Sequence, residues 1–144
     1  MEEKFDAIEE EFEKISKMNS YLDLMWKAFY SHRFLNCLVA IFILKDKGKN
    51  FFSTREVAEV SGVSVVAVRQ YFLDLSVWGF LKKIKRGIWE PSKELENFRG
   101  FVKEMFELEK NGEYYDREKK IEICSKWETI FEEKIKGNVN VQQE

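Results

Sequence analysis

Three observations predict a mainly α-helical chain that carries a small β-hairpin and has helices flanking it on both sides. Apolar residues recur every three or four positions through the first third of the chain and again after Pro91, which is the helical period. Between those stretches, Phe51 to Pro91 holds two short, cap-bounded helices and then a hairpin pattern. No repeat or low-complexity linker interrupts the 144 residues, so one domain is expected. Its parts are N-terminal helices over 1–47, a helix-turn-helix with hairpin over 48–91, C-terminal helices over 92–136 and a frayed tail over 137–144.

The N-terminal stripe is Phe5, Ile8, Phe12, Ile15, Asn19, Leu22, Trp26 and Phe29, a heptad rhythm with one polar member. Two readings stand side by side. Either the stripe is a pairing seam in which Asn19 sets register between two chains, or Asn19-Ser20 is a break and Ser20 caps a second helix over about Tyr21 to Asp46. Phe34 to Leu44 is apolar all round, which predicts a helix covered by neighbours on every side. Its eleven residues fall short of the ~20 that cross a bilayer. Lys47-Gly48-Lys49-Asn50 then reads as a turn.

Phe51-Phe52 suits a very short strand. Ser53-Thr54-Arg55-Glu56 has the spacing of a capping box, and the helix it starts stops at Ser61-Gly62. Ser64 caps the next helix, with Val63 placed to staple against Val68. Val68, Phe72 and Leu75 form its inward stripe, leaving Val65, Val66, Arg69, Gln70, Leu73 and Asp74 on the outer sides. Gly79 ends that helix. Phe80 to Lys85 and Ile88-Trp89-Glu90 read as strands joined by a basic tip at Arg86-Gly87. After Pro91, Leu95, Phe98, Val102 and Met105 mark one helix, while Ile121, Cys124, Trp127, Phe131 and Ile135 mark another.

Composition narrows the function classes. The net charge of -2 gives no global field toward nucleic acid or membrane. Charge is nonetheless segregated: residues 1–44 carry -3, residues 45–90 carry +4 and residues 91–144 carry -3. A local basic unit is the kind of feature that displaces phosphate counterions. Cys37 and Cys124 stand too far apart for a zinc knuckle, so no metal is expected, and both read as core thiols of a reducing, cytoplasmic setting. The acidic N-terminus with Glu2, Glu3 and Asp6 does not read as a targeting signal. Eighteen Lys and 21 Glu against 3 Gln resemble a heat-adapted proteome, and equally any helix-rich chain.

No catalytic constellation emerges. His32 is the only histidine, no glycine-rich phosphate loop exists, and no cofactor is expected. Trp26, Phe29, Phe34, Trp78, Trp89, Phe101 and Trp127 can line an effector pocket or simply fill the core.

From Glu56-Val57-Ala58 through Gly62-Val63-Ser64 to Val68, Leu75 and Gly79-Phe80-Leu81, the chain resembles the winged helix-turn-helix family of archaeal and bacterial transcriptional regulators. Ser61 departs from the larger apolar residue often found there. The resemblance implies a homodimer on double-stranded DNA, with the helix from Ser64 to Trp78 in the major groove. Groove-facing roles then fall on Ser64, Val65, Val66, Arg69, Gln70 and Leu73, and backbone contacts on Lys82, Lys83, Lys85 and Arg86 of the wing. Pairing is expected through Phe5, Ile8, Phe12, Ile15, Asn19, Leu22, Ile121, Trp127 and Phe131. Some methyltransferases carry a similar winged unit for dimerisation, so the alternative is a protein-pairing module without DNA binding.

Overall fold

The computed structural model describes residues 3–143. Ten elements follow in order: α1 (Glu3–Tyr30), α2 (His32–Asp46), β1 (Phe52–Ser53), α3 (Thr54–Ser61), α4 (Val65–Val77), β2 (Leu81–Lys85), β3 (Ile88–Pro91), a 3₁₀ helix (Lys93–Phe98), α5 (Arg99–Lys110) and α6 (Arg117–Gln143). The chain is mainly helical, with one three-stranded antiparallel sheet in the order β1-β3-β2.

The expected break at Asn19-Ser20 does not occur. Both residues lie inside α1, which runs unbroken to Tyr30, so the second helix begins at His32 rather than near Tyr21. The turn falls at Ser31 because its hydroxyl accepts from the Phe34 amide at 3.1 Å and caps α2. Here the two helices bend by 115°. The carbonyls left at the end of α1 are satisfied from far along the chain: Tyr114 Oη donates to Ala28 O at 2.6 Å, and Lys120 Nζ donates to Phe29 O at 2.6 Å. The buried Lys120 ammonium also lies 4.3 Å from the ring centres of both Phe29 and Tyr114.

Local sequence chemistry sets the middle of the chain. Ser53 and Glu56 form a reciprocal capping box on α3, and Gly62 closes that helix at φ +75°, in the left-handed region. Ser64 Oγ accepts from the Ala67 amide to cap α4, and the two helices cross at 116°. β1 pairs Phe52 with Trp89 and Ser53 with Ile88, so the strand before α3 is tied to the far arm of the hairpin. The C-terminal flank begins as a 3₁₀ turn over Lys93–Phe98 and becomes α-helical only at Arg99. α6 continues through Gly137 to Gln143, past the point where a frayed tail was expected, while Glu144 lies outside the described residues.

α2 is the spine: Phe34, Leu35, Cys37, Leu38 and Ile41 have no exposed surface. Tyr21, Phe80, Phe98 and Phe131 pack ring against ring with centroids 4.7 to 5.6 Å apart, joining α1, the start of the hairpin, the 3₁₀ helix and α6. Each such pair contributes roughly 0.5–1.5 kcal/mol beyond its area burial. The flanking helices and the hairpin unit therefore share one core.

Gly100 of α5 has no room for a side chain, since a Cβ there would lie 2.4 Å from Cη2 of Trp127. Gly100→Ala is expected to cost about 1–3 kcal/mol in denaturant unfolding by overpacking. The same substitution should shift Trp127 fluorescence, because the indole must leave Glu104, which accepts its N–H.

Two carboxylates stitch the flanks and make the fold acid-sensitive. Burial pushes the Glu94 carboxyl up, but hydrogen bonds from Tyr21 and Lys17 outweigh it and hold the group below the ordinary range. Arg99 and then Lys45 hold Glu96 low. Groups with a lowered folded pKa add stability above their unfolded pKa near 4.5, and lose it as pH falls toward the folded value. Urea midpoints should therefore drop between pH 6 and pH 3, and Glu94→Gln should flatten that drop.

Candidate nucleic-acid interface

The hairpin is built so that its charges face water. After Leu81, which is buried, Lys82, Lys83, Ile84, Lys85, Arg86 and Gly87 are all exposed. Strict alternation fails because the register slips between Lys83 and Lys85, leaving Ile84 without an opposite residue and Lys85 facing Ile88. Gly87 makes the tight tip at φ +78°. Lys82 lies opposite Glu90, and Lys83 opposite Trp89, whose ring centre is 6.0 Å from the Lys83 ammonium.

Nine basic residues lie in 45–90. Two are neutralised: Lys45 by Glu96 at 2.6 Å, and Lys49 by Glu56. The other seven, Lys47, Arg55, Arg69, Lys82, Lys83, Lys85 and Arg86, have no ion-pair partner among the described residues, and all are exposed. Lys47 and Arg55 join the five cations expected from the sequence, Arg69, Lys82, Lys83, Lys85 and Arg86. An unpaired exposed cation keeps its counterion atmosphere and can exchange it for phosphate.

On α4, Ser64, Val66, Arg69, Gln70 and Leu73 are exposed as expected, Val66 at 72% and Leu73 at 48%. Val65 is a correction: it is half-buried and packs on the core. Asp74 is another. Its carboxylate does not stand on the outer face but turns to α1, where Lys27 Nζ lies 2.8 Å away, and Gln70 donates to it weakly at 3.4 Å. The acid that would repel phosphate is thus already paired. Val77, absent from the expected list, is 83% exposed and continues the line Val66, Leu73 along the outer face.

The residues expected to pair two chains divide. Phe5, Ile8, Phe12 and Ile15 are exposed at 73%, 59%, 64% and 56%, Asn19 is exposed, and Leu22 is half-buried. Ile121 is 39% exposed. Trp127 is half-buried against Gly100 and Phe131. Phe131 has no exposed surface, being enclosed by Tyr21, Phe98 and Trp127, so it has nothing to offer a second chain.

Elsewhere the reactive side chains serve the fold. His32 Nε2 lies 2.6 Å from Glu109 Oε1. Burial pushes the Cys37 thiol up to about 12 and the Cys124 thiol up to about 11, and neither is in a disulfide. No group of three or more His, Cys, Asp or Glu among the described residues could hold a metal. Of the aromatics weighed for a pocket, Phe29, Phe34, Trp89 and Phe101 are buried in the core. A shallow groove of about 760 Å³ lies instead beside Lys45, Lys49, Phe51, Glu90, Lys93 and Glu96. No single helix among the described residues is long and apolar enough to cross a membrane.

No protein-family model, curated protein or solved structure matches this chain.

Proposed function

We propose that this chain is a winged helix-turn-helix regulator of transcription that binds double-stranded DNA as a homodimer, with α4 in the major groove and the hairpin on the backbone. The observation that carries the reading is the hairpin itself: four cations, Lys82, Lys83, Lys85 and Arg86, all exposed and all without an ion-pair partner among the described residues. β2 is an edge strand, and lysines there also guard it against pairing with another chain. Four positive groups around one tip, with no acid among them, in addition attract an anionic partner.

The order α2, α3, α4 and hairpin, with β1 added to the sheet, supports the winged reading. Pairing of Asp74 by Lys27 removes the one obvious electrostatic objection to α4 approaching phosphate. On this reading the exposed Arg69 bonds guanine edges and the exposed Val66 meets thymine methyls. Two free, buried thiols suit a cytoplasmic setting. The role is one of binding rather than catalysis.

Fluorescence anisotropy on duplex DNA at several salt concentrations tests this. The affinity should fall steeply with salt, and Lys85→Ala with Arg86→Ala, which removes two cations from each copy of the dimer, should reduce the slope of log K against log salt by about 3.6. Arg69→Ala should cost about 1–3 kcal/mol on a preferred sequence and little on random DNA. Absence of binding at low salt sinks the reading.

A second reading keeps the fold and drops the DNA. Val66, Leu73 and Val77 form an exposed apolar line on α4, which favours a protein-pairing module. Leu73→Asp separates the two, since it abolishes association through α4 under this reading even in the absence of DNA.

A further inference from the structure

The largest unanswered surface in the molecule is not on the hairpin unit. Along α1, Phe5, Ile8, Phe12, Ile15, Asn19, Leu22 and Trp26 step by three and four over 22 residues of unbroken helix, a length of about 32 Å. The opposite face of the same helix carries Tyr21, Leu24, Met25 and Ala28, all buried. From Phe5 to Asn19 the stripe points away from the core, and it turns inward at its end, where Leu22 is half-buried and Phe29, the next member of the repeat, is buried. Four of its members are more than half exposed in an uninterrupted row, which isolated surface apolar residues do not explain.

We propose that this face pairs with the same face of a second copy, as a parallel, in-register two-stranded coiled coil that sets Asn19 opposite Asn19 of the other copy. The inference deepens the homodimer in the function proposed above and stands apart from its DNA contacts.

Three observations choose this occupant. First, a strict seven-residue repeat drifts about 20° per heptad on a straight helix, so it stays useful only against a partner helix of the same period. Second, Asn19 sits in the seam at a position equivalent to Phe5, Phe12 and Trp26. Against an apolar partner its amide would be buried without a hydrogen bond; across a two-fold axis it meets its own kind, donor to acceptor.

Third, the charges beside the seam select orientation. One flank carries Glu9, Ser16 and Asp23, and the other carries Glu11 and Met18. In a parallel pair one flank meets the other, so Glu11 lies by Ser16 and Met18 by Asp23 and no acid directly faces an acid across the seam, while the acidic segments from Asp6 to Glu13 of the two copies share one end. An antiparallel pair sets each flank against itself, and Glu9 and Asp23 are both acidic. The same acidity excludes an anionic bilayer as the occupant, because every charged residue from Phe5 to Glu13 is an acid.

The area suits a dimer of moderate strength. Fully covered aromatics contribute 150–250 Å² each, so the exposed shares of Phe5, Phe12 and Trp26 supply roughly 370 Å². Ile8, Ile15, Leu22 and the flanking stems bring each copy toward the ~800 Å² of a standard interface. A parallel seam also keeps both hairpin units at the same end of the pair, where two DNA half-sites would lie.

Sedimentation equilibrium of the full chain without DNA should give twice the monomer mass at about micromolar concentration. Phe12 is exposed in the single chain, so Phe12→Glu should leave the far-UV circular dichroism intact, and the thermal midpoint too at dilutions where both proteins are monomeric, while weakening association about 100-fold. Asn19→Cys, on mild oxidation, should yield a covalent dimer, and the buried Cys37 and Cys124 do not compete for it. A chain that stays monomeric to about 100 µM overturns the proposal. So does a dimer untouched by Phe12→Glu, and so does monomeric protein that co-sediments with phosphatidylglycerol vesicles through this face. A dimer that does not cross-link at position 19 overturns the in-register arrangement. If the pair forms as described and DNA does not bind, the pairing stands and the DNA reading falls.

Discussion

Everything in this molecule hangs on how α1 is stopped. A helix that ends inside a protein leaves carbonyl oxygens without partners, and here they are met by a tyrosine hydroxyl and a lysine ammonium arriving from more than 80 residues away. With the carbonyls of Ala28 and Phe29 satisfied, the chain turns by 115° at Ser31 and sends the wholly apolar α2 inward. Had the helix run straight on, α2 would have left the core and the outer stripe of α1 would have had no fixed direction. Among the described residues no carboxylate pairs with Lys120, and a carbonyl oxygen and two aromatic faces replace its water. Burial lowers its pKa, the mark of an ammonium held at a cost for the sake of the turn.

That interaction also explains which parts of the fold were legible in the sequence. The caps at Ser53-Glu56 and Ser64, the stop at Gly62 and the turn at Gly87 depend on chemistry within four residues, and all stand where the pattern puts them. The end of α1 does not. Ser20, with Asp23 three residues on, is the cap the local pattern offers, yet the helix runs past it to Ser31, where Tyr114 and Lys120 meet the freed carbonyls from a distance that no local window contains. For the same reason Phe131 reads as a seam residue from its spacing and is core in the fold. A helical stripe records that something covers it, not whether the cover is the same chain.

The candidate site divides along the same line. The basic excess of residues 45–90 is visible as a count, but a count cannot tell a charge held by Glu56 from one left to solvent. Pairing removes Lys45 and Lys49 and leaves the hairpin cations, Lys47, Arg55 and Arg69. Asp74 moves the other way, from an objection on the outer face to half of an ion pair with α1. Electrostatics at a surface are decided by partners, and partners are tertiary facts.

Two outward apolar lines remain, one on α1 and one on α4, and they do not compete for the same explanation. The line on α1 is long, strictly periodic and flanked by acids, features that suit a helix of its own kind and reject polyanions. Val66, Leu73 and Val77 on α4 are sparser, share their face with Arg69 and Gln70, and sit in the one segment of positive charge. On the proposed reading these methyl groups between donors meet thymine methyls and base edges, whereas a larger continuous patch would seek protein. Assigning association to α1 therefore leaves α4 free. The acid-rich helix and the base-rich hairpin unit also repel opposite classes of partner, so neither surface is drawn onto the other's ligand.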